Sequence, residues 1–213
     1  PDYLIIGIEV NLLINADETM NKWNAYRELH KYVYDQLKIL YPQLPIMVSL
    51  SGMDLISGYT SANNSLQITG LNNILPYTDY FAISLYPFLS KYLAESIPND
   101  LFDLLFAMSS KPKCITETGY PAQVLSIEGG SIVFNGSPDK QKSYFEKMFT
   151  AANKYDVRFI VNFVLRDYDE LWKDLGSPDD ITKVWRDTGL YDENGNVRPS
   201  YEVWKNKLNI KIE

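Results

Sequence analysis

Lys113-Cys114-Ile115-Thr116-Glu117-Thr118-Gly119-Tyr120-Pro121 contains a short apolar, strand-like run that ends in a glutamate. A second run of the same kind, Leu4-Ile5-Ile6-Gly7-Ile8-Glu9, ends the same way. A carboxylate at the tip of an apolar strand is poorly placed for packing. It is well placed for chemistry, because parallel-sheet enzymes build their sites at the carboxyl ends of strands. If the fold brings the two tips together, they form a carboxylate pair of the kind that cleaves glycosidic bonds.

Working outward from these tips, five apolar, β-branched runs read as strands: residues 3–9, 46–50, 80–85, 113–117 and 158–164. Most are continuously apolar, which suits parallel strands buried on both faces. Between them lie helical patterns. Residues 21–41 carry Trp23, Tyr26, Leu29, Val33, Leu37 and Leu40 at three- and four-residue steps, one apolar stripe. A shorter helix is expected over 101–108, and another over 138–155 with Ser137 as cap and Pro138 in its first turn. A final amphipathic helix covers 199–208, and residues 51–73 read as a polar connection with at most a short helix near 71–75.

Strands alternating with helices mean βαβ units and a parallel sheet, either an open doubly wound sheet or a closed barrel. No Gly-x-Gly-x-x-Gly or Walker-type loop follows a strand, which weakens the nucleotide-binding open sheet. Candidate residues at several strand tips favour the TIM (β/α)8 barrel. Five strands do not close an eight-stranded barrel, which usually takes about 250 residues, and an open half-barrel would expose long unpaired edges. The expectation is therefore an α/β chain, residues 1–213, forming one domain: the C-terminal part of a barrel, with strands four to eight present. A missing N-terminal barrel segment of about three βα units would precede Pro1.

Composition narrows the partners. With 46% hydrophobic and 22% charged residues the chain fits an ordinary globular domain. Its net charge of -7 argues against nucleic acid or an anionic membrane, both of which call for basic surfaces. No apolar stretch is long enough to span a bilayer. A secreted or periplasmic location is expected, with any signal outside this chain. One histidine, His30, and one cysteine, Cys114, leave no good zinc set, and neither a metal nor a cofactor is expected. Cys114, inside an apolar run, reads as a small buried thiol. Asp179-Asp180 reads as a helix cap.

Further motifs carry a resemblance. Ile115-Thr116-Glu117-Thr118-Gly119-Tyr120-Pro121 resembles the nucleophile segment of endo-β-1,4-galactanases and plant-type β-1,3-glucanases. Ile83-Ser84-Leu85-Tyr86-Pro87 resembles the sixth strand of the same clan. Thr188-Gly189-Leu190-Tyr191-Asp192, Asn194-Gly195 and Arg198-Pro199-Ser200-Tyr201 with Trp204 resemble its usual C-terminal ending. Together they resemble the clan A, or 4/7, retaining glycoside hydrolases. That resemblance implies Glu9 on strand four as acid/base and Glu117 on strand seven as nucleophile. It also implies that Tyr86 orients the nucleophile.

Asn11, Tyr120 and Trp172 complete the expected substrate contacts. The plain alternatives are an ion pair or cap for Glu117 and simple packing for Tyr86, Tyr120 and Trp172. In most of the clan an asparagine precedes the acid/base and holds the sugar 2-hydroxyl; here Ile8 stands there, with Asn11 two residues beyond Glu9. This departure implies an unusual substrate, a rearranged contact from Asn11, or a decayed site. The expected function is a retaining hydrolase of O-glycosidic bonds in a polysaccharide or oligosaccharide. The alternative is a non-catalytic, carbohydrate-binding barrel of the same ancestry.

Overall fold

The computed structural model describes residues 1–92, 94, 97–177 and 180–208. The Asp179-Asp180 cap lies partly outside them. Its elements follow the expected alternation: β1 (Leu4–Ile5), α1 (Leu12–Ala16), α2 (Asn21–Leu40), β2 (Ile46–Met47), β3 (Ser49–Ser51), α3 (Asn64–Ile74), β4 (Phe81–Leu85), α4 (Leu101–Phe106) and β5 (Lys113–Thr118). Then come β6 (Val124–Ile127), β7 (Ile132–Asn135), α5 (Pro138–Lys154), β8 (Val157–Asn162), α6 (Asp169–Asp174) and α7 (Pro199–Leu208).

β1 pairs parallel to β2, and β3 parallel to β4 with Ser51 opposite Ser84. The larger sheet has the order β3-β4-β5-β8. This is a mixed α/β fold with a parallel sheet, and among the described residues no closed barrel forms. The α/β class and the parallel pairing agree with the expected part-barrel of five strands, which by itself would not close. The chain divides into two compact units. The first comprises Pro1–Leu85, Asp103–Glu117 and Tyr155–Ile160; the second comprises Tyr86–Phe102, Thr118–Lys154 and the chain from Val161 on.

In the first unit the sheet interior is apolar at its base. Met47, Ala82 and Cys114 pack together, with Ile5, Tyr80 and Phe159 against them. The Cys114 thiol is fully buried, and burial pushes its pKa up to about 12, which keeps it a neutral packing group. Strand β1 is shorter than expected. Beyond Ile5 the pairing continues irregularly, with Ile6 N donating to Met47 O at 2.9 Å and Ser49 N to Gly7 O at 2.9 Å. Gly7 is needed there: a Cβ would meet Tyr26 Oη at 2.5 Å and Val10 Cγ1 at 2.7 Å.

Helix α2 turns most of the expected stripe inward, with Tyr26, Val33 and Leu37 half-buried, but not all of it. Trp23 and His30 are buried, while Leu29 and Leu40 are exposed. His30 Nε2 lies 2.6 Å from the Tyr77 carbonyl, and its ring stacks on Tyr26. Residues 51–73 also depart from expectation, because Asn63 caps an 11-residue helix, α3, by accepting from Leu66 N. The polar reading failed because α3 is half amide and hydroxyl; its buried side is Gln67, Gly70, Leu71 and Ile74.

The second unit is built on aromatics. Trp204 of α7 meets Phe145 and Phe149 of α5 edge-on, at ring separations of 5.5 and 4.9 Å. Ser137 caps α5 as expected, accepting from Lys140 N at 3.2 Å. The antiparallel hairpin β6–β7 has no counterpart in the sequence reading.

Candidate active site

Glu9 and Glu117 belong to the same compact unit. Glu117 lies in β5, half-buried, one residue before its end. Glu9 follows β1 in a left-handed backbone conformation, with φ of 48°. A non-glycine residue held there stores about 1–3 kcal/mol of strain, so its surroundings must over-determine it. They do. Val10 N donates to Ser49 O at 3.1 Å, and Leu12 N, opening helix α1, donates to Glu9 O at 3.0 Å. Ser49 Oγ accepts from Glu9 N at 3.4 Å and lies 2.9 Å from Ser84 Oγ.

The Glu9 carboxyl titrates above the ordinary glutamate range. Burial is the largest cause, followed by the charges of Glu117 and Asp54; a hydrogen bond from Ser84 opposes them. The arrangement favours a proton on Glu9, which is what a general acid needs.

Asn11 departs from its expected place against a sugar. It is fully buried, and its amide is engaged on both sides. Nδ2 donates to Gln67 Oε1 at 2.8 Å and to Ser51 O at 3.2 Å, while Oδ1 accepts from Ser51 N at 2.7 Å. A side chain with no exposed surface and no idle amide atom holds the chain, not a ligand. Ile8, beside Glu9, is 61% exposed.

The remaining expected contacts belong to the second unit. Tyr86 is buried, edge-on to Phe88 and Trp185. Tyr120 is buried too, stacked on Tyr144 with rings 5.1 Å apart and edge-on to Phe88. Trp172 donates its indole N–H to Thr182 Oγ1 at 2.8 Å, and the cations of Lys183 and Arg186 lie over its ring. For Tyr120 and Trp172 the packing alternative describes these surroundings.

The same unit gathers Asp167, Asp169 and Asp187, with one oxygen from each within 4.8 Å of the others, a cluster that sequence spacing concealed. Arginines already serve it: Arg198 pairs with Asp167, and Arg186 with Asp169 and Asp187.

Sequence reasoning missed Ser49, Ser84 and Asp54. A signal existed, since each serine interrupts an otherwise apolar strand where packing alone would place an aliphatic residue.

No protein-family model matches this sequence, and no curated protein is similar to it. Its fold is nonetheless shared with solved structures. A GH2 β-galacturonidase from Eisenbergiella tayi, bound to glycerol, superposes with a TM-score of 0.53 at 18% identity, over 88% of this chain and 31% of that one. The β-glucuronidase of Ruminococcus gnavus gives 0.55 at 16% identity, over 86% of this chain and 29% of that one. The chain thus spans under one third of the length of these neighbours. The likeness is one of fold, an α/β architecture found within glycoside hydrolases.

Proposed function

We propose that this chain carries the catalytic glutamates of a retaining glycoside hydrolase, with Glu117 as nucleophile and Glu9 as acid/base. Glu117, ionised, attacks the anomeric carbon while Glu9 gives its proton to the leaving oxygen. Glu9 then takes a proton from the water that releases the glycosyl-enzyme. The observation that carries this reading is the Glu9 carboxyl, raised above its ordinary range by burial and by the charge of Glu117. The fold shared with a β-galacturonidase and a β-glucuronidase supports a β-linked O-glycoside in an oligosaccharide or polysaccharide as substrate.

The outer sides of β1 and β8 have no strand partner among the described residues. This supports a further βα segment completing the sheet, whether from the same polypeptide or another. Asn11 is reassigned from sugar contact to support of the Glu9 loop.

The test is hydrolysis of a panel of aryl glycosides and oligosaccharides by the full-length protein, with Glu117→Gln and Glu9→Gln. Loss of about a thousand-fold or more on Glu117→Gln, and rescue of Glu117→Gly by azide, are the expected results. A crystal structure with the two carboxyls more than about 7 Å apart would sink the double displacement, which works at about 5–5.5 Å. The exposed Ile8, in place of a polar sugar contact, favours a second reading: a barrel that binds carbohydrate without cutting it. Retained sugar binding with no turnover by any preparation would select it.

A further inference from the structure

Helix α2 carries two apolar stripes, and only one of them is covered within its unit. Trp23, Tyr26, His30, Val33 and Leu37 form the inner stripe and are buried or half-buried. Ala25, Leu29, Tyr32, Gln36 and Ile39 form the second, at alternating four- and three-residue steps, and all five are exposed. Leu29, Tyr32 and Ile39 are so by 60%, 64% and 73%. That spacing is the pattern of a helix–helix seam, with one amide, Gln36, among the apolar groups. The seam holds no charge. Arg27, Glu28, Lys31, Asp35 and Lys38 keep to the remaining side, where Arg27 pairs with Glu28, Lys31 with Asp35 and Lys38 with Asp79. The solvent side of a helix takes charged and polar residues, so a continuous uncharged stripe marks a side that another element covers.

The surroundings of the stripe say what that element is. His30 and Tyr34, on the opposite flank of α2, meet Tyr77 in the turn after α3. On the flank of the stripe, Leu40 joins Leu37 of α2 and Leu4 of β1 in lining an open apolar groove of about 870 Å³, with Pro1, Asp2 and Pro45. The groove links this flank to β1, whose outer edge has no strand partner among the described residues. A strand for β1 and a helix for α2 together make one βα unit. Because β1 runs parallel to β2 with α2 as the crossover, α2 runs against the strands. A right-handed unit added at β1 therefore brings its helix alongside α2 in the same direction.

We infer that the stretch of polypeptide leading into Pro1 packs here as a βα unit, its strand parallel to β1 and its helix against Leu29, Tyr32, Gln36 and Ile39. Pro1 and Asp2 stand in the wall of the groove, so a polypeptide entering at Pro1 passes along it. In the β-galacturonidase and the β-glucuronidase the matching part is 31% and 29% of one longer chain, which favours a single polypeptide as the source. The inference gives the sheet completion proposed above a seat and a direction, and it does not depend on the glycosidase chemistry.

The test is thiol labelling of Tyr32→Cys in the full-length protein. The parent supplies the background, since Cys114 is fully buried, and Asn24→Cys, exposed on the polar side of α2, is the control. Tyr32→Cys should label about a hundredfold more slowly than the control, at every protein concentration. Labelling at the control's rate overturns the inference. So does protection that disappears on dilution, which belongs to a second copy or to a separate partner chain. Should Tyr32→Cys fail to fold, Gln36→Cys is read by the same criterion. Protection in a protein that cleaves no glycoside upholds the inference and sinks the catalytic reading, whereas free labelling in an active hydrolase does the reverse.

Discussion

The hydroxyls of Ser49 and Ser84 lie 2.9 Å apart, buried side by side in adjacent strands, and Glu9 rests on both. Ser49 accepts the Glu9 backbone N–H, while Ser84 bonds its carboxylate. The Ser84 bond stabilises the ionised form and so works against burial and the two neighbouring charges. Ser84→Ala should therefore raise the Glu9 titration further and lower stability by about 1 kcal/mol for the lost hydrogen bond. A carboxyl carbon NMR titration and a urea denaturation measure the two effects. A fall in the Glu9 titration would contradict the assignment of that bond.

Glu9 also makes a prediction about stability. Its folded-state pKa lies above its unfolded value, so the folded protein holds a proton that the unfolded chain has already released. The stabilisation from that proton is complete below the ordinary glutamate pKa and is lost as pH rises through the folded value. At neutral pH the ionised Glu9 therefore costs the folded state. Glu9→Gln should melt above the parent at pH 7, with the gap closing as the buffer is taken down to about pH 4. Equal melting temperatures at pH 7 would mean that Glu9 is not strained by its surroundings.

Much of this molecule was legible from local pattern. The strand that carries Glu117, the Ser137 cap and the limits of α7 follow from apolar runs and turn chemistry that neighbouring residues alone decide, whereas Glu9 falls four residues past the end of the shortened β1. The meaning of Gly119 was legible only as a motif; the structure supplies its cause, since a Cβ there would run into the Phe163 carbonyl. What stayed hidden depends on partners distant in sequence. Asn11 looked like a ligand contact because nothing nearby in sequence reveals Gln67, 56 positions on, or Ser51 as its partners. Helix α3 escaped because its buried Gln67 is apolar in neither type nor pattern. Tyr120 read only weakly as a sugar contact, and nothing near it in sequence reveals the Tyr144 and Phe88 rings it packs against.

The last prediction concerns Asp167 and Arg198, a pair whose side chains are 0% and 7% exposed. Arg198 grips both oxygens of Asp167 and donates to Gly189 O at 2.8 Å, while Gly189 N donates to Asp167 Oδ1 at 2.8 Å. Even so, burial holds the Asp167 carboxyl above its usual range, with Arg198 acting against that shift. The pair is balanced between desolvation and attraction, so its removal as a whole differs from breaking it. Arg198→Met alone leaves a buried, uncompensated acid and should cost about 3–5 kcal/mol. The double variant Arg198→Met with Asp167→Leu should recover most of that loss, because it buries no charge. Chemical denaturation of both variants measures the difference, and a double variant as unstable as the single one would show that the pair is needed for its charges rather than for its shape.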